Sequence, residues 1–334
     1  MALIHVYVHG RGRGHASRCV PICETLRARG HTVRAIAGED AFEVLAPVVP
    51  TDAVASLPPS LGPASVPRLL ARVFDAVART RAAHADVIVS DGDLPGLLGA
   101  RLCGVPTVAV GHGLVFAACA RPAEAPRGPW LRESLKARLS SVGARRRVAV
   151  NFVALPLRAR DTVLARPPVR PWPQGHARRE IVGYFRDGLD ARTAELLART
   201  AGPMRVFART GPARLPEGIT LERPDQAAFT QALAHARAVI ASAGSQLMAE
   251  CVAHGMPLLA LYRRDDDEQR LNVHMLQAAG LGRGVPLDAL DAPTIAAFLQ
   301  APPPGAAAAR SLPPGAEAVA DACEALLRPR SAGA

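Results

Sequence analysis

Lysine is nearly missing from this chain of 334 residues: 39 of its 40 basic side chains are arginine, and Lys136 is the exception. With that lysine far from any glycine-rich turn, no G-x-x-x-x-G-K-[ST] loop exists, which excludes a P-loop nucleotide site. Aromatic residues are also scarce, at 3 Tyr, 2 Trp and 8 Phe. That argues against a reader of single-stranded nucleic acid, which stacks bases on aromatic rings. No apolar window reaches the roughly 18 residues that a membrane-crossing helix needs. The N-terminus lacks the basic start, long apolar stretch and small-residue cleavage site of a signal peptide, so a cytoplasmic location is expected. The six cysteines, at 19, 23, 103, 119, 251 and 323, form no C-x-x-C pair. Reduced, buried thiols are expected, with neither a disulfide framework nor a metal site.

What is present is positive charge and alternation. The formal net charge is +11, and it is uneven: residues 1–150 hold 19 basic and 11 acidic side chains, while 151–334 hold 21 and 18. A basic first half suits a polyanion or an anionic membrane face. A polyanion-binding module is therefore one reading, with steep salt dependence as its signature. The scarce aromatics and the absence of a nucleic-acid-binding motif set nucleic acid aside as a partner.

The first half alternates strand and helix patterns. "LIHVYV" runs into a glycine loop and then "SRCVPICETLRARG", a helix with Gly30 as its stop. "HTVRAIAG", a helix over about 66–84, "DVIVSDGD", "LPGLLGARLCGVP" and "TVAVGHG" continue the alternation. Residues 156–179 are rich in proline and arginine without periodicity and mark a boundary. The pattern then restarts with "EIVGYF", helix 190–201, "MRVFART", "ITLE", helix 226–236, "AVIAS", helix 245–254, "PLLALY" and helix 268–279. The spacing predicts an α/β chain of two Rossmann-like domains, each a parallel sheet covered by helices. Their expected limits are 1–158 and 180–314, joined by a linker over 159–179 and followed by a C-terminal helix and tail over 315–334. Parallel sheets bind ligands beyond the carboxyl ends of their strands, so both domains are expected to face an interdomain cleft.

The loop Gly10-Arg11-Gly12-Arg13-Gly14-His15 is not the dinucleotide G-x-G-x-x-G, and no acidic residue clearly ends the second strand to grip a ribose. Its glycines, Gly12 and Gly14 among them, still allow close backbone approach and point helix-terminal N–H groups at an anion. His15 follows; a histidine, with its reference pKa near ~6.5, suits proton removal at neutral pH. His9, Asp91, Asp93 and His112 stand at strand ends of the same domain. The two histidines are expected to line the acceptor side of the cleft, and Asp91 and Asp93 equally to cap the next helix. In the second half "VIASAGSQLMAECVAHGMPLLALYRRDDDEQRLN" is denser. A strand ends at Ser242, Ala243-Gly244 turns, and Ser245 or Gln246 starts a helix whose dipole and free N–H groups favour a diphosphate. Glu250 lies within two turns, where a carboxylate accepts both hydroxyls of a ribose. Glu268, Gln269 and Asn272 share a face of the next helix. The acidic run over 263–268 reads as a helix start rather than a metal site.

These segments resemble the donor-binding region of nucleotide-sugar glycosyltransferases of the GT-B fold. "SAGSQLMAECVAHGMPLLAL…DEQRLN" is similar to the G-x-x-x-x-x-E…G-x-P…[DE]-Q-x-x-N pattern of UDP-glycosyltransferases and of the peptidoglycan N-acetylglucosaminyltransferase. "GRGRGHASR" and "DVIVSDGDLPGLLGARLCGVPTVAV" resemble the matching acceptor-domain segments. The resemblance implies that Gly244, Ser245 and Gln246 contact diphosphate or sugar, that Glu250 holds the ribose, and that Glu268 and Gln269 bind hydroxyls of the donor sugar, with Asn272 on the same helix face toward that crevice. It places Arg223 and Pro224, in "ERPDQ", at the base. His15 matches the base that deprotonates an acceptor hydroxyl, with Asp91 orienting it. Ser242 departs from the pattern, since many relatives carry histidine there; Arg11, Arg13 or Arg209 is expected to supply the missing phosphate contact.

The implied activity is transfer of a hexose-type sugar from a UDP- or dTDP-sugar to a hydroxyl acceptor, with inversion and without a metal. No cofactor is implied, the nucleotide sugar being a co-substrate. A UDP-sugar 2-epimerase or nucleotide-sugar hydrolase on the same fold is the alternative. The acceptor is a small or lipid-linked molecule. Residues 127–147 carry Trp130, Leu131, Leu135, Leu139 and Val142 at helical spacing among arginines. Such a helix either lies on an anionic membrane, making the protein peripheral at the inner face, or packs on its domain with a charged outer face; the packed reading is preferred.

Overall fold

The computed structural model describes residues 1–10, 12–58, 62–173, 180–301 and 311–328. Arg11 lies outside the described residues. The chain forms two compact units, one holding Met1–Pro122, Trp130–Val169 and the C-terminal helix, the other holding Ala123–Pro129 and the chain from Arg170 onward to that helix.

The first unit runs β1 (Leu3–Val8), α1 (Arg13–Ala28), β2 (Thr32–Ala37), α2 (Glu39–Leu45), β3 (Thr51–Ala53), α3 (Val66–Ala83), β4 (Val87–Asp91), α4 (Leu94–Leu102), β5 (Thr107–Gly111), α5 (Leu114–Ala118), α6 (Arg127–Ser140), β6 (Arg146–Val150) and β7 (Thr162–Ala165). Its sheet is parallel in the order β3-β2-β1-β4-β5-β6-β7. Central strands of such a sheet are buried on both faces, which is why "LIHVYV" reads as an unbroken apolar run. Ile4, Val6 and Val8 pack toward α1 and α2, whereas Tyr7 packs with Ile36, Ile88, Ala76 and Ala100 on the other face. Gly96 lets α4 press onto the sheet, because a Cβ there would meet the Tyr7 ring at 2.5 Å.

The second unit runs β8 (Glu180–Phe185), α7 (Ala191–Ala201), β9 (Met204–Ala208), β10 (Ile219–Glu222), α8 (Gln226–His235), β11 (Ala236–Ser242), α9 (Ser245–Ala253), β12 (Leu258–Tyr262), α10 (Asp267–Ala278), β13 (Arg283–Pro286) and α11 (Ala292–Gln300). Its sheet is also parallel, in the order β10-β9-β8-β11-β12-β13. Strand order reverses direction between β8 and β11, the position where open sheets leave a crevice for a ligand.

Three features depart from the sequence reading. β7 pairs with β6, so part of the expected linker is an edge strand of the first sheet. The last helix, α12 (Gly315–Leu327), forms where it is expected but belongs to the first unit rather than standing apart. It seats Ala318, Val319, Ala320 and Cys323 in the core of the first unit, and Arg29, just after α1, pairs with Glu317 and Asp321 on it. On α6 the expected apolar set is divided, Trp130 going inward and the aliphatic residues outward. Trp130, Glu133, Ala137 and Ser141 point inward, while Leu131, Leu135, Leu139 and Val142 are 68%, 58%, 56% and 43% exposed. No described helix is long and apolar enough to cross a membrane.

Candidate functional site

In the first unit the chemistry gathers where β1 and β4 end. α1 begins after Gly12, whose φ of 81° suits glycine alone, and no side chain caps its first turn. His15 sits in that turn and directs Nδ1 at Asp91 Oδ1, 2.7 Å away. Asp91, the last residue of β4, is fully buried. Arg18, one helical turn after His15, grips the same carboxylate with Nε at 2.7 Å and Nη2 at 2.8 Å. The Cys19 thiol donates to it at 3.5 Å. Burial by itself resists ionisation of Asp91, but Arg18 and His15 overcome it and hold the carboxyl well below its usual range. Because a carboxylate only accepts, Nδ1 must donate, which leaves Nε2 of a neutral His15 ring with a lone pair. The ring is about one-third exposed. It stands edge-on to His9, with centroids 5.3 Å apart. Gly92, at φ +71°, passes beneath, and a Cβ there would lie 3.3 Å from His15 Cε1.

The neighbouring expectations fare unevenly. The Gly12 N–H is taken by Asp40 Oδ2 at 3.0 Å, so it is not open to a phosphate. Gly14 remains in the uncapped first turn. Arg13 pairs with Glu43 at 2.9 Å. His112 is buried rather than lining a surface: it stacks on Phe152, meets Phe116 edge-on and donates Nδ1–H to the Val150 carbonyl at 3.1 Å. Asp93 caps α4 through Gly96 N at 2.8 Å and pairs with Arg72.

In the second unit, helix capping singles out one N-terminus. Asp190, Asp225, Asp266 and Asp291 each accept an N–H in the first turn of α7, α8, α10 and α11. α9 starts at Gly244 with no side-chain cap and no acidic residue in its first turn. Its positive end is therefore left for an anion. Ser242 does not stand free in place of the relatives' histidine; its Oγ accepts the Arg186 N–H at 3.2 Å and ties β11 to the turn after β8. Ser245 and Gln246 open the helix, and Gln246 Nε2 donates to Glu250 Oε1 at 3.2 Å. Burial raises Glu250, partly offset by Gln246 and by Arg170. Asn272 is buried and donates to the Ala243 carbonyl at 3.4 Å, so it holds the turn before α9 rather than facing a ligand. Gln269 accepts the Arg263 N–H at 3.0 Å. Glu268 is half-buried in the first turn of α10, and the acidic run before it supplies that helix's Asp266 cap.

A cavity of about 360 Å³ opens here, lined by Phe185, Gly188, Thr210, Ser242, Tyr262 and Gln269. A second, of about 460 Å³, shares Tyr262 and is edged by Asp190, Arg192 and Arg264. Sequence reasoning missed the turn after β8, Thr210 and Tyr262; their only signal was that each follows or ends a parallel strand. Arg209 and Arg223 are exposed and Pro224 half-buried, beyond the ends of β9 and β10, and none of the three lines either cavity.

Comparison with known proteins fits this geometry. A family model described as glycosyl transferase family 1 matches residues 61–303. No curated protein sequence matches the chain. Among solved structures, MurG of Acinetobacter baumannii is 16% identical at a TM-score of 0.62, covering 97% of this chain and 100% of that one. The spinosyn forosaminyltransferase SpnP is 16% identical at 0.68, covering 98% and 100%. The glycosyltransferase VinC, solved in complex with dTDP, is 16% identical at 0.64, covering 97% and 99%. Those likenesses establish the two-sheet fold, and the family match extends over more than half of the sequence. The chain belongs to glycosyl transferase family 1 and is a nucleotide-sugar glycosyltransferase of the GT-B fold.

Proposed function

We propose that this enzyme moves a sugar from a uridine or thymidine diphosphate donor to a hydroxyl acceptor, with His15 as the base. The observation that carries the reading is the His15–Asp91 contact: 2.7 Å from a buried carboxylate to Nδ1, on a side chain that is about one-third exposed. Nε2 takes the acceptor's proton as its oxygen forms a bond to the anomeric carbon. The bond from that carbon to the diphosphate breaks, and the nucleoside diphosphate leaves with the electron pair. Attack opposite to the leaving group inverts the anomeric centre. Charge on the departing diphosphate is met by the open N-terminus of α9 rather than by a metal. Ser245 and Gln246 lie at that terminus, Glu250 takes the ribose hydroxyls, and Gln269 with Glu268 faces the sugar. The dTDP seen in VinC supports a pyrimidine nucleotide.

The acceptor side reads best with a lipid surface nearby. The exposed leucines of α6 stand beside the exposed Arg132, Lys136 and Arg138, a face that suits an anionic bilayer. The enzyme then works at the cytoplasmic face of a membrane without entering it. Melting the protein with UDP, dTDP, GDP and ADP tests the donor. A rise with dTDP or UDP is expected; no shift with any of the four rejects the donor site.

A further inference from the structure

Asp91 is more heavily bonded than an orienting carboxylate needs to be. Besides His15 it accepts two N–H groups from Arg18 and the Cys19 thiol, and it sits at the end of β4 with no solvent access. Arg18 is itself buried, and its Nη2 comes within 3.3 Å of His15 Nδ1. A buried carboxylate needs one balancing positive charge. Two groups can supply it: the arginine, permanently charged, or the histidine, by taking a proton. A histidine that supplies it is an imidazolium and has no lone pair left with which to act as a base.

We propose that Arg18 is a positioning residue: its two-pronged grip balances the charge of Asp91, so that His15 stays a neutral ring with Nδ1–H on Asp91 and Nε2 open to receive a proton. The inference rests on the reading of His15 as the base, but its geometry stands apart from substrate. The groups facing the pair are Asp91 from β4, Arg18 and Cys19 from α1, and the His9 ring beyond β1. Of these, Arg18 alone is permanently charged. The planar fork engages both carboxylate oxygens, and His15 shares Oδ1 with Arg18 Nη2; a point charge holds that carboxylate orientation less well.

The test uses the full chain labelled with ¹⁵N-histidine, with the His15 signals assigned by their loss in His15→Gln. Two-bond ¹H–¹⁵N spectra at pH 8 should show the wild-type ring protonated on Nδ1 alone. Arg18→Met should put a proton on Nε2 in more than about half of the molecules, because a like charge is lost next to the ring. Arg18→Lys, which keeps the charge, should restore the wild-type pattern. Arg18→Gln keeps a hydrogen bond to Asp91 without the charge and gives the same reading as Met should the Met variant not fold. A folded Met or Gln variant with Nε2 still unprotonated overturns the proposal, as does a wild-type ring already protonated on both nitrogens. Failure of the base assignment shows separately, as transfer that survives His15→Ala.

Discussion

Replacing Glu250 by Gln should strengthen the free protein and weaken its hold on nucleotide. The carboxylate lies on α9 in a nearly closed environment, and burial raises its pKa while Gln246 and Arg170 pull the other way. A carboxyl whose folded pKa is raised binds its proton more tightly in the folded state. Its contribution to stability is therefore complete below the unfolded value and is lost as pH rises through the folded one. At neutral pH the wild type carries that loss, and Gln does not. Leaving an incompletely paired buried acceptor costs about 1–2 kcal/mol. The variant should accordingly melt roughly 2–8 °C higher at pH 7, with the advantage shrinking as pH is lowered toward about 4. If Glu250 accepts the ribose hydroxyls, the loss of hydrogen bonds to a charged group is worth about 1.5–3 kcal/mol. Calorimetric titration with dTDP or UDP should then show affinity falling roughly 10- to 100-fold. A variant that gains stability but binds nucleotide as the wild type does removes Glu250 from the donor site. One that loses stability at pH 7 refutes the burial argument itself.

Four further outcomes follow from the same geometry. His15→Ala should abolish transfer while keeping the nucleotide-induced rise in melting temperature, and equal loss of both would rule out the base assignment. Gly92→Ala places a side chain at φ +71° and 3.3 Å from His15 Cε1; it should cost about 1–2 kcal/mol and disturb the His15 ring signals, whereas unchanged melting and spectra would show that the turn is not tight. Val319→Ala should lower the melting temperature by the equivalent of about 1–3 kcal/mol, because α12 is part of the first core; no change would make the helix dispensable. Leu135→Glu with Leu139→Glu should abolish co-sedimentation with phosphatidylglycerol vesicles and leave melting untouched, since both leucines face solvent. Wild-type protein that ignores such vesicles refutes the membrane contact.

Much of this architecture was legible because a parallel sheet writes a strong signal. Runs such as "DVIVSD" and "AVIAS" are buried on both faces and bounded by turn residues, so their strands and the helices between them fall within a residue or two of expectation. Short edge strands carry no such run. β7 has four residues inside an arginine- and proline-rich stretch, and nothing local distinguishes it from a linker; its partner β6 decides. The return of α12 to the first unit is likewise long-range, set by small residues meeting a surface some 300 positions earlier in the chain. In the site, residue types were visible and their partners were not. Asp91 and His15 are 76 positions apart. That Asp40 occupies the Gly12 N–H, or that Asn272 braces the turn at Ala243 instead of facing a donor, depends on loop paths that periodicity does not encode.

Helix α6 shows where pattern reading has no way to choose. Period fixes which residues share a face but not which face turns inward. Leu131, Leu135, Leu139 and Val142 form the longer apolar stripe, so a reading by hydrophobicity buries them. The fold instead buries Trp130, Glu133, Ala137 and Ser141. One tryptophan set edge-on to Phe116, with two small residues that allow close approach, outweighs four aliphatic side chains left outside. Glu133 goes inward paired with Lys136 at 2.6 Å. Four large apolar side chains seldom stand in one row on a solvent face without something to cover them. The proposed lipid contact rests on the basic residues alongside the stripe: the surface is apolar in its middle, cationic at its edges, and carried by the unit that holds the proposed base.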